Sequence, residues 1–410
     1  MPVVGIYFGY SGISVSYVKN NTIVNLDVFQ EGFVYPILHA EKEAYGKQAF
    51  TGLFTEPEVI ISNLLYLLSK DSFTSTDTLL CPFPVTVSSK RELCVSSGNI
   101  PVSMLMRRLL IQIYNVTCAT IHSYDNNFVF AFPLTLSDNI QDKIIEIAKT
   151  CGFKNIECID CLTCYAVFKN IEFISNAGGA NQPENHCVTF LVIDEHESYS
   201  TTASVDCIPG QVTKAHCFHK LRDINKLSIS IRNLIFGIRN CIIKNYLLKA
   251  FQHEYISDTN NPQYILLNQQ LYVYLAGSLT QYYPEYRFAD VMFTVNNHRY
   301  TIRGTIFQKV CSAFVSSYVR TCISDLMKQK NYDPSRHIYV VGDYANLFTA
   351  AANLQYNSVQ NDLTYVLSSF SSGAACCSTR EEGPTPIDPT ADVTIYSYIS
   401  EMPRYFYVCY

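Results

Sequence analysis

The sequence contains no tryptophan, no long apolar run and no strong excess of either charge. A run such as Val188 to Ile193 is far shorter than the ~20 residues that a membrane-spanning helix needs. The chain also lacks an N-terminal basic region followed by an apolar core and a small-residue cleavage site, so we expect no secretory signal. These absences predict a cytoplasmic protein without a membrane partner.

The charge balance also argues against a nucleic-acid-binding protein. The 30 basic residues are matched by 35 acidic ones, for a net charge of −5. The densest basic groups, Lys90-Arg91 and Arg107-Arg108, are short, whereas binding to a phosphate backbone requires a basic stripe or patch. The sequence therefore carries no direct nucleic-acid signature, although small basic patches formed by the fold stay open as an alternative.

The composition is that of a globular protein, with 48% hydrophobic and 16% charged residues, and 410 residues suffice for two or three domains or one large two-lobed unit. In a reducing compartment the 16 cysteines are expected to be core thiols. Cys158, Cys161 and Cys164 have metal-ligand spacing, but no second CxxC pair supplies further ligands. We predict core packing for them and no metal site.

The opening stretch predicts a hairpin that approaches a phosphate. Val3 to Phe8 reads as a strand, Gly9-Tyr10-Ser11-Gly12 as a tight turn and Ile13 onward as a second strand. Glycine lets backbone N–H groups come close to an anion. Residue 7, however, is a tyrosine, which cannot replace the carboxylate that such a site uses to hold Mg²⁺. We expect the Tyr7 and Tyr10 rings to fill the space instead.

A second strand-turn-strand follows a linker rich in glycine, asparagine and proline at Asn176 to Asn185. Val188 to Ile193 and Thr201 to Ile208 read as its two strands. The same pattern at the head of each half predicts two related lobes around a shared cleft, which is where ligands usually bind.

Apolar periodicity predicts the main helices, and a polar, small-residue stretch at Ser368 to Pro386 is interpreted as a loose insertion. The predicted helices are Glu58 to Leu68, Met104 to Tyr114, Ser137 to Cys151, Asp223 to Phe251, Leu267 to Leu279 and Phe307 to Met327.

In this order, the elements resemble the ATPase domain of the heat-shock-protein-70 (DnaK-type) chaperone family, of the actin and hexokinase superfamily. Six segments with matching order and spacing carry the resemblance. They are VVGIYFGYSGISVSYVKNN from Val3, YGKQA at 45–49 with Glu56-Pro57, FVFAFP at 128–133 with the helix ending at Gly152, LVID at 191–194, YVVG at 339–342 and IDPTADVTIYSYI at 387–399.

The resemblance implies an α/β protein of the actin-like, heat-shock-70 ATPase fold, with two lobes of duplicated ribonuclease H-like topology. Residues 1–175 are then lobe I with a subdomain at 36–104, and residues 176–186 are a linker. Residues 187–386 are lobe II with a subdomain at 217–295, and residues 387–410 are a closing helix and tail. The family's substrate-binding domain is not expected.

The resemblance also implies where a nucleotide cleft lies. Gly9, Tyr10 and Ser11 fall in the first phosphate turn, Asp194 ends the strand of the second phosphate loop, and Gly342 begins the adenosine loop. These five residues are the predicted, degenerate nucleotide cleft.

The departures from the family fall on the chemistry of phosphoryl transfer, which needs carboxylate-held Mg²⁺, glycine loops and a lysine. Tyr7 stands for the first-loop aspartate, and Cys161 stands for a glutamate. Asp343 replaces a glycine, and the second loop reads Glu195-His196-Glu197, which adds negative charge where phosphates would lie. We therefore expect a pseudo-ATPase without catalytic residues or a bound cofactor, and ATP with Mg²⁺ is disfavoured.

By this resemblance the chain is expected to be a non-hydrolysing co-chaperone like the atypical ribosome-associated members of the family. Its implied partners are a J-domain protein, the ribosome and a conventional heat-shock chaperone. Two alternatives stay open: a diverged chaperone that still binds and hydrolyses ATP, and a structural or exchange-factor subunit.

Overall fold

The structure is a computed structural model. It describes residues 2–19, 22–70, 72–74, 77–89, 92–95, 98–124, 126–168, 186–195, 198–205, 218–248, 261–283, 285–330, 338–350, 359–360 and 368–376. The basic pair at 90–91, the linker as far as residue 185, the loop residues 196–197 and the predicted closing helix and tail at 387–410 lie outside the described residues.

The first half of the chain alternates short strands with helices. Its elements are β1 (Val3–Phe8), β2 (Ile13–Lys19), β3 (Thr22–Leu26), β4 (Leu38–His39), α1 (Lys47–Thr51), β5 (Ile60–Ile61), α2 (Leu64–Leu68), β6 (Val85–Val87), β7 (Leu93–Val95), β8 (Ile100–Pro101), α3 (Val102–Ile121), β9 (Asn127–Phe132), α4 (Asp138–Thr150), β10 (Ile156–Asp160) and α5 (Cys161–Phe168), with 3-10 turns at Gly52–Phe54, Pro57–Val59 and Asp77–Leu80.

The second half again begins with three strands. Its elements are β11 (His186–Ile193), β12 (Ser198–Val205), β13 (Phe218–Lys226), α6 (Ile231–Ile242) continued by a π-helix (Ile243–Leu247), α7 (Pro262–Leu279), β14 (Val291–Val295), β15 (His298–Ile302), α8 (Gly304–Met327), β16 (Ile338–Val341), α9 (Asn346–Ala350), β17 (Val359–Gln360) and α10 (Ser368–Cys376).

Each half contains a five-stranded mixed sheet, and the two sheets have the same plan. The first has the order β10-β9-β1-β2-β3 and the second β13-β12-β11-β16-β17. In both, the first three strands form an antiparallel meander, the fourth strand pairs parallel to the first, and the fifth pairs parallel to the fourth. The repeat of the strand-turn-strand pattern is therefore present, and its partner strand begins at Ser198.

Smaller antiparallel sheets (β4-β5, β6-β7-β8 and β14-β15) accompany the two large ones. The chain is therefore a mixed α/β protein with several sheets, two of them mixed. No helix in the described residues is long and apolar enough to cross a membrane. The lobe and subdomain boundaries given above stay predictions.

Two helices tie the halves together, because each follows the last strand of one half and packs against the other half. Tyr165 of α5 packs against Phe190 of β11, with ring centroids 6.2 Å apart. Helix α10 packs on the first sheet, where a Cβ placed on Gly5 would lie 1.9 Å from the carbonyl oxygen of Ser371. Only glycine in β1 permits this approach.

The interpretation of Ser368 to Pro386 as a loose insertion is wrong for its first part. Ser368–Cys376 is a helix, and its residues from Ser369 to Ala375 are buried. The small side chains that suggested a loop are what allow this helix to lie against the backbone of β1, so low side-chain volume marks a close contact here.

Two further predictions about helices are corrected. The stretch Glu58 to Leu68 is not one helix: Ile60–Ile61 pairs with β4, and Asn63 adopts a left-handed φ of 57° before α2. The β-branched pair favours a strand, and the left-handed residue interrupts the helix. The predicted helix Asp223 to Phe251 begins only at Ile231, where a capping box on Ser230 starts α6.

Candidate functional site

The predicted cleft lies where β1, β11 and β16 end. The turn after β1 is closed by a hydrogen bond from the Gly9 N–H to the Gly12 carbonyl, 2.8 Å. A Cβ on Gly9 would lie 2.2 Å from Oδ1 of Asp343, so this turn can approach a carboxylate only with glycine at this position. The carboxyl in the turn is thus supplied by the chain itself, from the end of β16.

Asp343 is held by donors from the first half of the chain. The backbone N–H of Ser11 donates to Oδ2 at 2.7 Å, and the hydroxyl of Tyr7 donates to Oδ1 at 3.0 Å. Burial raises the pKa of Asp343 well above its usual value, the charge of Asp194 raises it further, and the two hydrogen bonds lower it in part. Asp343 therefore occupies the place that the sequence predicted for a phosphate.

Asp194 lies beside this carboxylate. Its Oδ1 accepts a hydrogen bond from the backbone N–H of Asp343 at 3.0 Å, an arrangement made possible by the positive φ of 108° at Gly342. Burial raises the pKa of Asp194 to about 7, although the hydrogen bond opposes the shift. The two carboxyls thus form an interacting pair, both fully buried.

Glu195 is the third buried carboxylate. It accepts hydrogen bonds from the hydroxyls of Tyr272 at 2.7 Å, Tyr344 at 3.5 Å and Ser11. Burial and the charge of Glu195 both raise the pKa of each tyrosine well above 10, so the phenols stay protonated and donate. The hydroxyls of Tyr272, Tyr344 and Ser11 thus bring hydrogen-bond donors to Glu195 in a buried site, and the Tyr344 hydroxyl also lies 3.2 Å from the carbonyl oxygen of Ala276.

One arginine does interact with Glu195. Arg232, on α6, lies over the ring of Tyr66 with its guanidinium carbon 5.0 Å from the centroid. Burial lowers the pKa of Arg232, but its interactions with Tyr272, Glu195 and Tyr66 outweigh that effect and raise it. Through the ring of Tyr66, this arginine adds a further contact between the halves.

Helix α7 closes the cleft on its remaining side. All its residues from Leu267 to Leu279 are buried. Gln270 donates to the carbonyl of Leu53 at 3.0 Å, and Tyr274 stacks on Phe50 with ring centroids 5.7 Å apart. Helix α7 therefore packs directly against the first half through both polar and aromatic side chains.

The structure brings four of the five predicted cleft residues into one network. Gly9 and Ser11 contact Asp343, and Gly342 positions Asp343 against Asp194. Tyr10 is buried, at 9% exposure, while Tyr7 is more deeply buried and takes the bonding role.

The sequence did not identify Asp343, Glu195, Tyr272 or Tyr344 as site residues. Asp343 stands out in the sequence only as an acid at the position of an expected glycine, and Glu195 only as added negative charge in the second loop, each directly after a predicted strand. That placement was the available signal, since residues after parallel strands of a sheet gather at one edge.

The geometry of the described residues gives little support to a metal-binding site. Asp194, Glu195 and Asp343 offer oxygen ligands that Mg²⁺ prefers, but no group of three or more histidine, cysteine or acidic residues within the described ranges is arranged to hold a metal. Cys161 and Cys164 are buried as expected for core residues, whereas Cys158 is exposed, contrary to expectation. His196 and Glu197 lie outside the described residues.

A scan against protein-family models finds no match to this chain, and a search of curated proteins finds none either.

Proposed function

We propose that this protein is a heat-shock-70-like scaffold of the actin-like fold, with a cleft that no longer turns over ATP. The identical order and direction of strands in the two large sheets supports a duplicated ribonuclease H-like topology. The two helices that pass between the halves, α5 and α10, also support it.

One observation carries the loss of ATP turnover: the carboxylate of Asp343 sits in the Gly9–Gly12 turn, bonded to Ser11 N and Tyr7 OH. An ATP phosphate would have to displace this carboxylate and then lie beside Asp194 and Glu195. Two like charges 4 Å apart repel by about 4 kcal/mol near a protein surface, and more when buried. The turn is thus occupied by an internal carboxyl, and the buried carboxyls around it disfavour an external anion.

Titration calorimetry with Mg²⁺-ATP tests this proposal. We expect no binding heat at millimolar nucleotide and no release of phosphate. Saturable, Mg²⁺-dependent binding with closure of the lobes would instead support the diverged chaperone that still uses ATP.

The co-chaperone role is proposed from the resemblance, and a closed and nucleotide-independent body is what such a scaffold requires. Gentle purification of the tagged protein, on and off ribosomes across a salt gradient, tests the partners. We expect stoichiometric recovery of a J-domain protein together with ribosomes and a conventional heat-shock chaperone. Recovery without any partner would remove this role, and accelerated ADP release from a conventional chaperone would favour an exchange factor.

A further inference from the structure

The hydrogen bonds around Asp343 join parts of the chain that are far apart in sequence. Ser11 and Asp343 are separated by 332 positions, and Tyr7 and Asp343 by 336. Glu195 makes a parallel contact to the hydroxyl of Ser11. The turn after β1 is therefore fastened to the strand ends of the second half by two neighbouring carboxylates.

Several titratable groups and, among the residues that the structure describes, the cation of Arg232 surround this contact. Tyr7 from β1, Cys161 from α5, Tyr318 from α8 and the carboxylates of Asp194 and Glu195 face the pair. Arg232 interacts with Glu195. The ion pairs among the described residues include neither Asp194 nor Asp343.

A buried pair of carboxyls without a cation is stable only while it holds a proton, because two adjacent anions in a low dielectric repel and are poorly solvated. The pKa of Asp194, raised by burial to about 7, and the raised pKa of Asp343 agree with this geometric argument. Loss of the proton leaves hydration of the carboxylates as the main way to relieve the repulsion, and hydration requires the strand ends to separate from the turn.

We propose that Asp194 and Asp343 form a proton-operated latch that holds the two halves of the chain together and releases them as the pH rises. This inference concerns the opening of the cleft and does not depend on the chaperone role. With the proton in place, Ser11 and Tyr7 stay bonded to Asp343. Without it, the Gly9–Gly12 turn and the end of β16 become accessible to water.

Hydrogen exchange followed by mass spectrometry on the full chain tests the latch. Peptides that cover the Gly9–Gly12 turn and the Gly342–Tyr344 segment are compared between about pH 5 and about pH 8, with each rate divided by the intrinsic rate at that pH. Opening returns a buried carboxyl to its ordinary pKa of about 3.9, so the opening equilibrium rises about tenfold per pH unit between that value and the raised pKa of the closed form, and it levels off above the raised pKa. We therefore expect corrected exchange in both peptides to rise by up to about tenfold per unit from about pH 5 toward neutral pH and to level off once the closed form has also lost its proton.

Variants distinguish opening of the latch from a general loosening of the protein as the pH rises. Asp194→Asn and Asp343→Asn keep an oxygen that can accept a hydrogen bond but leave only one buried carboxyl, so the rise of corrected exchange with pH should be smaller in each and should disappear in the double variant. Asp290→Asn is the matched control, since Asp290 accepts the Gly304 N–H at 2.7 Å outside the cleft, and it should keep the wild-type response. Equal corrected exchange at both pH values in the wild type would overturn the latch, as would an undiminished response in Asp194→Asn.

Discussion

The turn after β1 and the turn after β11 occupy the same position in their sheets but differ in chemistry. The first brings donors to the cleft, from the N–H and hydroxyl of Ser11 and from Tyr7 beside it. The second begins with two buried acceptors, Asp194 and Glu195. In this protein, the duplicated topology places donors opposite acceptors, so the two halves bond to each other where a ligand would separate them.

The two halves also differ where a helix from the other half packs against them. The first sheet receives α10 at Gly5, with almost no side-chain volume at the contact, and the second receives α5 through the rings of Phe190 and Tyr165. A fully buried aromatic residue adds roughly 2 to 3 kcal/mol relative to an exposed one. One crossing thus depends on close backbone approach and the other on burial of large rings.

The largest loss of stability is expected from Tyr7→Ala. Tyr7 is 1% exposed, packs on Phe370 with centroids 4.5 Å apart and bonds Asp343. Its removal leaves a cavity and takes the donor from Oδ1 of Asp343, and we expect a loss of about 4 kcal/mol in the free energy of unfolding, measured by urea denaturation with circular dichroism. Tyr7→Phe keeps the ring and should lose only about 1 to 3 kcal/mol. A negligible loss in Tyr7→Ala would show that the ring does not fill the cleft.

Gly5→Ala should cause the next largest loss of stability, because the added methyl would overlap the backbone of α10. We expect a loss of about 3 kcal/mol and faster proteolysis near residues 368–376, since a packed backbone has little room to move. Gly52→Ala is the control: its added Cβ would lie 3.2 Å from the flexible end of Ile60, at a φ of −77°. Similar losses in both variants would argue against the close crossing.

Two acids, one in each half, should respond to pH in opposite directions. Burial raises the pKa of Asp77, but hydrogen bonds from Thr74 and Tyr66 outweigh it and lower the pKa to about 2. Asp77 therefore stabilises the folded protein at pH values above about 3.9, the pKa of an aspartate in the unfolded chain, and this contribution is lost as the pH falls toward about 2. Asp194, with its raised pKa, stabilises fully below about 3.9 and loses that contribution as the pH rises through about 7.

The contrast is measured as the urea concentration at the midpoint of unfolding. We compare it between the wild type, Asp77→Asn and Asp194→Asn at pH values that span both transitions. A shift of about two pKa units corresponds to roughly 2 to 3 kcal/mol. Asp77→Asn should be less stable than the wild type at neutral pH, and Asp194→Asn should gain stability relative to the wild type above neutral pH. The same sign of change in both variants would contradict the opposed environments.

The smallest loss of stability is expected from Ser11→Ala. It removes the hydroxyl bond to Glu195 but keeps the backbone N–H bond to Asp343. We expect a loss of about 1 to 2 kcal/mol in the urea experiment. Ser316→Ala removes a hydroxyl that bonds only within α8, to the carbonyl of Ser312, and should change stability by less than about 0.5 kcal/mol. Equal effects would mean that the cleft contact contributes no more than a surface hydroxyl.

Much of the architecture could be predicted from local patterns. The strand-turn-strand at the head of each half follows from apolar runs bounded by turn residues, and α4 follows from its 3.6-residue period. Predictions failed where tertiary contacts outweigh local preference. Ile60–Ile61 joins β4 within a predicted helix, and Ser368–Cys376 becomes a buried helix although its side chains are small and polar.

The sequence by itself determined that residue 7 is a tyrosine, that the loops after β11 and β16 carry carboxylates, and that α7 is uncharged from Gln269 to Leu279. Those facts already disfavour a phosphate-binding cleft on grounds of charge. Only the tertiary structure decided that the carboxylate of Asp343 enters the Gly9–Gly12 turn, since its partners Ser11 and Tyr7 lie more than 330 positions away. No local pattern specifies such a pairing, because it depends on how two separately formed sheets pack together.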